Sequence, residues 1–489
     1  MKTMGETTSP MVAPTTPEPR ARALPGSLFG RLSAALLAAV AACGSGERPS
    51  NLVVVVADTL RADYLGCYGF GNGVSPHLDQ LATESVVFDR CFTQAPWTKP
   101  ATASLLTSLY PETHGLTDHE GGFWSDSPER RAGVLPASAT TLAEALAASG
   151  YRTAGFTANS WLVRSYGFAQ GFEMYDDFAA RLDTHADEIL DNARRWLEHS
   201  DPRQPFFLYL HFMDVHAPYD GSKSDYERLS GLPELQADRP LSDTEVPFNR
   251  WQNIDRKPSW VSEGERHRLA YWRTRYASGV RALDRRLDAF VHELRLSGRL
   301  DDTVFVLTSD HGEHLFEHGD WSHGQNLYDH QLRIPLIIRD AGGRGGGRRV
   351  EEVVELVDVM PTVLALLRLP IPPGLEGRDL SPAFQGGELD ADRASFATAV
   401  QRRPGMRSVR TGSHKLIVDL DTDETWLFDL RTDPTEQFDL AEREPDEVRA
   451  LRARLDDHIA ALAERGAIPV EDVVIPEDEL RRLEALGYQ

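Results

Sequence analysis

Asn51-Leu-Val-Val-Val-Val-Ala57-Asp58 and Thr303-Val-Phe-Val-Leu-Thr-Ser309-Asp310-His311 are unbroken aliphatic and β-branched runs, each closed by a carboxylate. A run apolar at every position reads as a central strand buried on both faces. Similar runs lie at 151–157, 206–212 and 333–339. Helical patterns at 77–85, 101–109, 141–149 and 358–367 alternate with them. Strands alternating with helices predict an α/β fold, a doubly wound and mostly parallel sheet. In such sheets ligands gather at the carboxyl ends of strands. Asp58, Asp310 and His311 occupy such ends.

This main domain is expected over residues 51–370, closing at Leu369-Pro-Ile-Pro-Pro-Gly374. Residues 371–489 predict a small C-terminal α+β subdomain. It has strand-like segments at 408–409, 414–418 and 425–430, an acidic turn at 419–424, and a helix over 445–465 with Leu451, Leu455, Ile459 and Leu462 on one face. The glycine-rich stretch 342–347 reads as a turn. It lacks the Lys-Ser/Thr ending that gives a phosphate loop its contacts.

The balance of 52 basic against 75 acidic side chains gives a net charge of −23, with no basic stripe, so nucleic acid is excluded as an expected partner. Arg20, Arg22 and Arg31 precede the short apolar run 32–40, which leads into Ala41-Ala42-Cys43-Gly44. A basic flank, a short apolar segment and small residues before one cysteine read as a lipoprotein-type signal over 1–42. Cys43 is then the expected lipidation site and 43–50 a linker. The expected location is the bacterial cell envelope, periplasmic or outer-membrane-anchored, with the lipid as the one membrane attachment. Cys67 and Cys91 lack zinc-motif spacing, and an oxidising compartment would permit a bridge between them.

Between the two acid-tipped strands lies Ala95-Pro-Trp-Thr98-Lys-Pro-Ala-Thr-Ala-Ser-Leu-Leu-Thr107, which puts a hydroxyl on a turn ahead of a helix. An alcohol is a weak nucleophile at neutral pH unless a cation or a base activates it. A divalent ion wants hard oxygens and accepts an imidazole. Asp58, Thr98, Asp310 and His311 make that set. An aspartate after a strand is often only a helix cap, and a threonine beside proline only a turn; the combination carries the reading.

Asp58-Thr-Leu-Arg-Ala-Asp63-Tyr-Leu-Gly-Cys-Tyr-Gly69, with Ser75-Pro-His-Leu-Asp-Gln-Leu-Ala82 behind it, resembles the first signature of the sulfatase family. Thr98-Lys-Pro-Ala-Thr-Ala-Ser-Leu-Leu-Thr107 resembles that family's nucleophile segment. Ser309-Asp-His-Gly-Glu313, Glu317-His-Gly and His323-Gly-Gln-Asn-Leu-Tyr328 resemble its distal motifs, and the likeness runs from Asn51 to the carboxyl end. It implies the alkaline-phosphatase-like fold and one divalent ion (Ca, Mn, Mg or Zn) held by Asp58, Thr98, Asp310 and His311. It also implies Thr98, His216 and His323 as catalytic residues, with Lys99 and Asn159 toward the substrate.

The departures matter. Sulfatases carry Cys or Ser where Thr98 stands, within Cys-x-Pro-x-Arg, and oxidise it to formylglycine. Threonine cannot give that aldehyde, and Thr102 replaces the arginine. Thr59 stands where many members have a second metal-binding aspartate. Threonine nucleophiles occur in phosphorus chemistry elsewhere in the superfamily. The expected function is a single-metal-dependent hydrolase of sulfate or phosphate esters with a Thr nucleophile. A phosphodiesterase or phosphotransferase working through phosphothreonine is the alternative, or an inactive lipid-anchored binding protein. The expected partner is an anionic ester, carbohydrate- or lipid-derived.

Overall fold

The computed structural model describes residues 50–485 apart from 72, 119–122, 124–128, 178–185, 220, 237–238, 247–262 and 399. The signal segment, Cys43 and most of the linker lie outside the described residues. The strands in chain order are β1 (Asn51–Ala57), β2 (Val86–Phe92), β3 (Arg131–Val134), β4 (Arg152–Thr157), β5 (Met174–Asp177), β6 (Phe206–Phe212), β7 (Thr303–Thr308) and β8 (His314–Leu315). Then come β9 (Trp321–Ser322), β10 (Arg333–Arg339), β11 (Arg348–Glu355), β12 (Ser395–Ala397), β13 (Met406–Arg410), β14 (His414–Asp419), β15 (Thr425–Asp429) and β16 (Glu471–Val474).

Eight of these form one sheet in the order β11-β2-β10-β7-β1-β6-β4-β5. All run parallel except β10, which is antiparallel to both its neighbours. β1 sits centrally, between β6 and β7, and Leu52 to Ala57 are solvent-free. Apolar side chains on both faces bury separate clusters, one through Val53 and Val55, the other through Leu52, Val54 and Val56. That two-sided burial is why β1 shows no polar alternation.

Pro335 interrupts the ladder of β10, where the register with β2 shifts between Ile334 and Leu336. The Tyr68 hydroxyl fills the gap. It accepts from the Leu336 N–H at 2.9 Å and donates toward the Leu336 and Phe88 carbonyls at 3.1 Å.

The C-terminal residues form the antiparallel sheet β12-β13-β14-β15, covered by the helix Pro445–Arg465, which buries Leu451, Leu455 and Leu462. Residues 371–489 do not stand apart from the main domain. β16 returns to pair antiparallel with β3, Val474 opposite Arg131 and Glu471 opposite Val134. Ile475 and Leu483 then join the same core as β1. Cys67 and Cys91 are free thiols, so the permitted bridge is not formed.

Candidate active site

β1, β6 and β7 are adjacent and parallel, so their carboxyl ends open at one level. Val56 pairs with His211 on β6, and the Asp58 N–H donates to the Phe212 carbonyl at 2.9 Å. Ser309, past the end of β7, staples the two acid-bearing loops. Its hydroxyl lies 2.6 Å from the Ala57 carbonyl and 2.7 Å from the His311 carbonyl, and it accepts from the Leu60 N–H at 3.0 Å. Thr98 opens the helix Thr98–Thr107. Asn159 follows β4, and its Oδ1 accepts from the Trp161 N–H at 2.8 Å.

These elements bring together Asp58, Thr98, Asn159, His211, Asp310 and His311, each fully buried. Thr98 Oγ1 is 3.4 Å from Asp58 Oδ2 and 3.4 Å from His311 Nε2. His311 Nε2 lies 3.6 Å from Asp58 Oδ1 and 3.5 Å from Asp310 Oδ2. Asn159 Nδ2 donates to Asp58 Oδ2 at 2.6 Å and lies 3.3 Å from Thr98 Oγ1. His311 Nδ1, 2.8 Å from the Gly312 carbonyl, takes its proton there, which turns the Nε2 lone pair toward the carboxylates.

Two buried carboxylates this close repel. Burial first, and Asp310 second, raise Asp58 to about 7. Burial acts the same way on Asp310, but His311 and His211 outweigh it and hold it low. Asp58 Oδ1 and Asp310 Oδ2 are buried without a hydrogen-bond partner. Orphaned carboxylate oxygens facing a neutral imidazole and a hydroxyl at 3.4–3.6 Å are what one divalent ion with bonds of roughly 2.1 Å would tie together. The donor set therefore fits a cation held by Asp58, Thr98, Asp310 and His311.

His323 stacks near His311, with ring centroids 4.4 Å apart, and near His216 at 5.1 Å. Its Nδ1 lies 3.2 Å from Glu313 Oε1. Burial, then the neighbouring His216, push His323 well below the ordinary histidine value, and burial raises Glu313 to about 7. His216 Nδ1 is 2.8 Å from the Ala217 carbonyl, and its Nε2 is buried without a partner.

Lys99 is not placed for a substrate anion. Its ammonium is fully buried, 2.7 and 3.0 Å from the Asp118 oxygens and over the rings of Trp161 and Tyr166. It follows Thr98 in sequence, but one residue along a helix turns a side chain by about 100°. Thr102, one turn on from Thr98, fills the arginine's place against the Tyr209 hydroxyl. Thr59 takes a positive φ of 61°, so its hydroxyl turns back to the Asp58 carbonyl and its N–H points at Asp310 Oδ1.

Sequence reading passed over His211 as a structural residue. Its Nε2 is 3.6 Å from Asp310 Oδ2 and 3.9 Å from Asp58 Oδ2, and both ring nitrogens lack hydrogen-bond partners. The usable signal was its position, at the carboxyl end of the apolar run Phe-Phe-Leu-Tyr-Leu-His-Phe.

Carboxylates, imidazoles and a hydroxyl thus gather at the carboxyl edge of a mostly parallel sheet, where α/β proteins place their ligands. Residues 50–369 match the sulfatase family, and residues 316–465 match the C-terminal region of N-sulphoglucosamine sulphohydrolase. The chain belongs to the sulfatase family, whose relatives support a hydrolytic enzyme acting on sulfate or phosphate esters.

An arylsulfatase of Clostridium perfringens is 25% identical over 405 residues, 68% of this chain and 78% of its own length. An N-acetylglucosamine-6-O-sulfatase of Bacteroides thetaiotaomicron is 26% identical over 504 aligned positions, covering 84% of this chain and 86% of that protein. Among solved structures, the phosphonate monoester hydrolase of Agrobacterium radiobacter superposes with a TM-score of 0.66 at 22% identity, covering 85% of this chain and 96% of that one. A protein solved with its substrate D-glucosamine-2-N,6-O-disulfate gives 0.69 at 20% identity, covering 86% and 99%.

Proposed function

We propose that this protein hydrolyses sulfate or phosphate esters at a single-cation centre, with the Thr98 hydroxyl as the nucleophile. The observation that carries the proposal is the position of Thr98 Oγ1. It lies within 3.4 Å of both Asp58 and His311, at the point where three strand ends and one helix start converge. A divalent ion held by Asp58, Thr98, Asp310 and His311 would supply the positive charge that acidifies the hydroxyl.

The Asn159 amide, shared between Asp58 and Thr98, fixes the rotamer of the nucleophile. Thr98 Oγ1, its proton released to water, forms a bond to phosphorus or sulfur as the bond to the ester oxygen breaks. That oxygen takes the Nε2 proton of His323 while the Glu313 carboxyl, which burial raises to about 7, passes its own proton to His323 Nδ1. His216, anchored by its Nδ1–H to Ala217, steadies a nonbridging oxygen from Nε2 when cationic. Water then attacks the same centre, releases the anion and returns the hydroxyl.

Phosphorus is favoured as the attacked atom, because Thr98 cannot become formylglycine. An acceptor alcohol in place of water would make the same site a phosphotransferase. Relatives named for glucosamine and hexuronate sulfates support a carbohydrate-derived ester as the substrate class. A lipid on Cys43 would hold the enzyme at the bacterial cell envelope.

The test is to quench the full chain during turnover of radiolabelled phosphodiester, phosphonate monoester and aryl sulfate. The Thr98 peptide is then sought by mass spectrometry. A labelled phosphoryl adduct on Thr98, with Thr98→Ala slower by about 10³-fold or more, is expected. Turnover that survives Thr98→Ala would overturn the mechanism.

A further inference from the structure

We infer that His314, Glu317 and His330 form a second cation site, separate from the Asp58–Asp310 centre, that takes an imidazole-seeking transition-metal ion of the zinc class. One ligand atom from each of the three lies within 4.8 Å of the other two. His314 stands in β8, and Glu317 in the tight connection to β9, where Phe316 and Gly319 take positive φ of 75° and 78°. His330 lies in the short helix Asp329–Leu332. Two backbone bonds lock these segments together, from the Gly312 N–H to the Gln331 carbonyl at 2.8 Å and from the Glu313 N–H to the His330 carbonyl at 2.9 Å. The cluster is therefore a framework with a fixed span.

The imidazoles are arranged as ligands are. His314 is fully buried. Its Nε2 is 2.9 Å from Asn326 Oδ1, which sets the tautomer, and its Nδ1 has no hydrogen-bond partner. His330 Nδ1 is likewise buried and without one. His318 stands across from both, with ring centroids 5.8 Å from His314 and 5.4 Å from His330, and its buried Nε2 also lacks a partner. Stacking on Tyr328, at 3.8 Å and 3°, holds the His318 ring beside them.

Glu317 is fixed by its neighbours: its Oε1 accepts from the Arg61 guanidinium at 2.6 Å, Asp63 binds the same guanidinium bidentately, and Arg273 lies 4.0 Å from that oxygen. Glu317 Oε2 accepts from the Leu315 N–H at 2.8 Å and lies 4.0 Å from His314 Nδ1. A carboxylate offers about four lone-pair directions, so both oxygens keep capacity for a metal bond. Two imidazoles with one carboxylate favour zinc over magnesium or calcium. The ion would clamp Glu317, and with it Arg61, three residues beyond Asp58.

The experiment counts metal in the full chain. Apoprotein prepared with a chelator is titrated with zinc against a chromophoric competitor, and bound metal is measured by plasma mass spectrometry. Two equivalents are expected for the natural chain. One is expected for Asp58→Asn/Asp310→Asn, one for His314→Ala/His330→Ala, and none for the four combined. A double-asparagine variant that binds no zinc overturns the site. Because the alanine pair could misfold, zinc-edge anomalous diffraction of the natural chain gives an independent reading. A peak bounded by His314, Glu317 and His330 is expected. A fully occupied first centre with no signal there refutes the inference.

Discussion

Lys99 shows how far one residue's chemistry depends on its surroundings. Beside a nucleophile in sequence, a lysine reads as an anion holder; in the structure it is half of a dry ion pair with Asp118. Removing one partner of such a pair strands the other charge and costs about 3–5 kcal/mol. Lys99→Met is therefore expected to lower the unfolding midpoint sharply while KM for ester substrates stays level. Lys99→Met/Asp118→Asn should recover most of the loss, read by denaturant titration and steady-state kinetics. A raised KM with unchanged stability would return Lys99 to the substrate. The residues that were legible in the sequence, Asp58, Thr98, Asp310 and His311, sit in motifs whose residue types have few other uses together. The direction of the Lys99 side chain and the nearness of His211 to both aspartates were not legible, because both are set by packing across the chain. Asp118, Lys99's partner, is 19 residues away.

At the level of elements, the sheet strands at 206–212, 303–308 and 333–339 were readable to the residue, because two-sided burial demands uninterrupted apolar runs. The 28-residue helix Leu269–Leu296 was not. It carries arginines along its length, and its buried face includes Arg275, Ser278 and Asp284, so its apolar stripe is broken. β2 and β11 were missed for a related reason, since charged residues interrupt both. Trp272 packs in the core beside Tyr271 and Trp321.

Asp284 repays its burial by accepting from the His77 and Leu78 N–H groups at 3.0 and 2.8 Å, at the start of the helix Pro76–Thr83. Burial still raises it to about 6. A carboxyl whose folded value exceeds its unfolded value of about 3.9 favours the fold below that lower figure and loses this contribution as pH climbs through 6. Asp284→Asn keeps an acceptor and removes the titration. Between pH 4 and 7 the natural chain should lose on the order of 2 kcal/mol relative to the variant, measured as paired thermal midpoints across pH. Parallel midpoints would refute this.

On the scale of the whole molecule, the carboxyl-terminal segment is tied into the main body. β16 supplies the partner of β3, Val470 packs over Gly115 and Gly133, and the Ile468 N–H reaches the Thr113 carbonyl at 2.8 Å. No composition or period announces this pairing, because it joins residues more than three hundred positions apart. Ending the chain at Arg465 would remove Ile475 and Leu483, whose burial is worth about 1.5–3 kcal/mol each, and leave β3 without its ladder. The expected outcome is a fall in the unfolding midpoint and loss of soluble yield. A truncated chain that melts like the full one would show that β16 is dispensable.

The Gly133 N–H of β3 donates to Asp118 Oδ1 at 2.7 Å, and Asp118 grips Lys99, the residue after Thr98. β16 in turn holds β3. A change that loosens β16 is therefore felt at Thr98 by way of β3, Asp118 and Lys99, at a distance of several hundred residues along the chain.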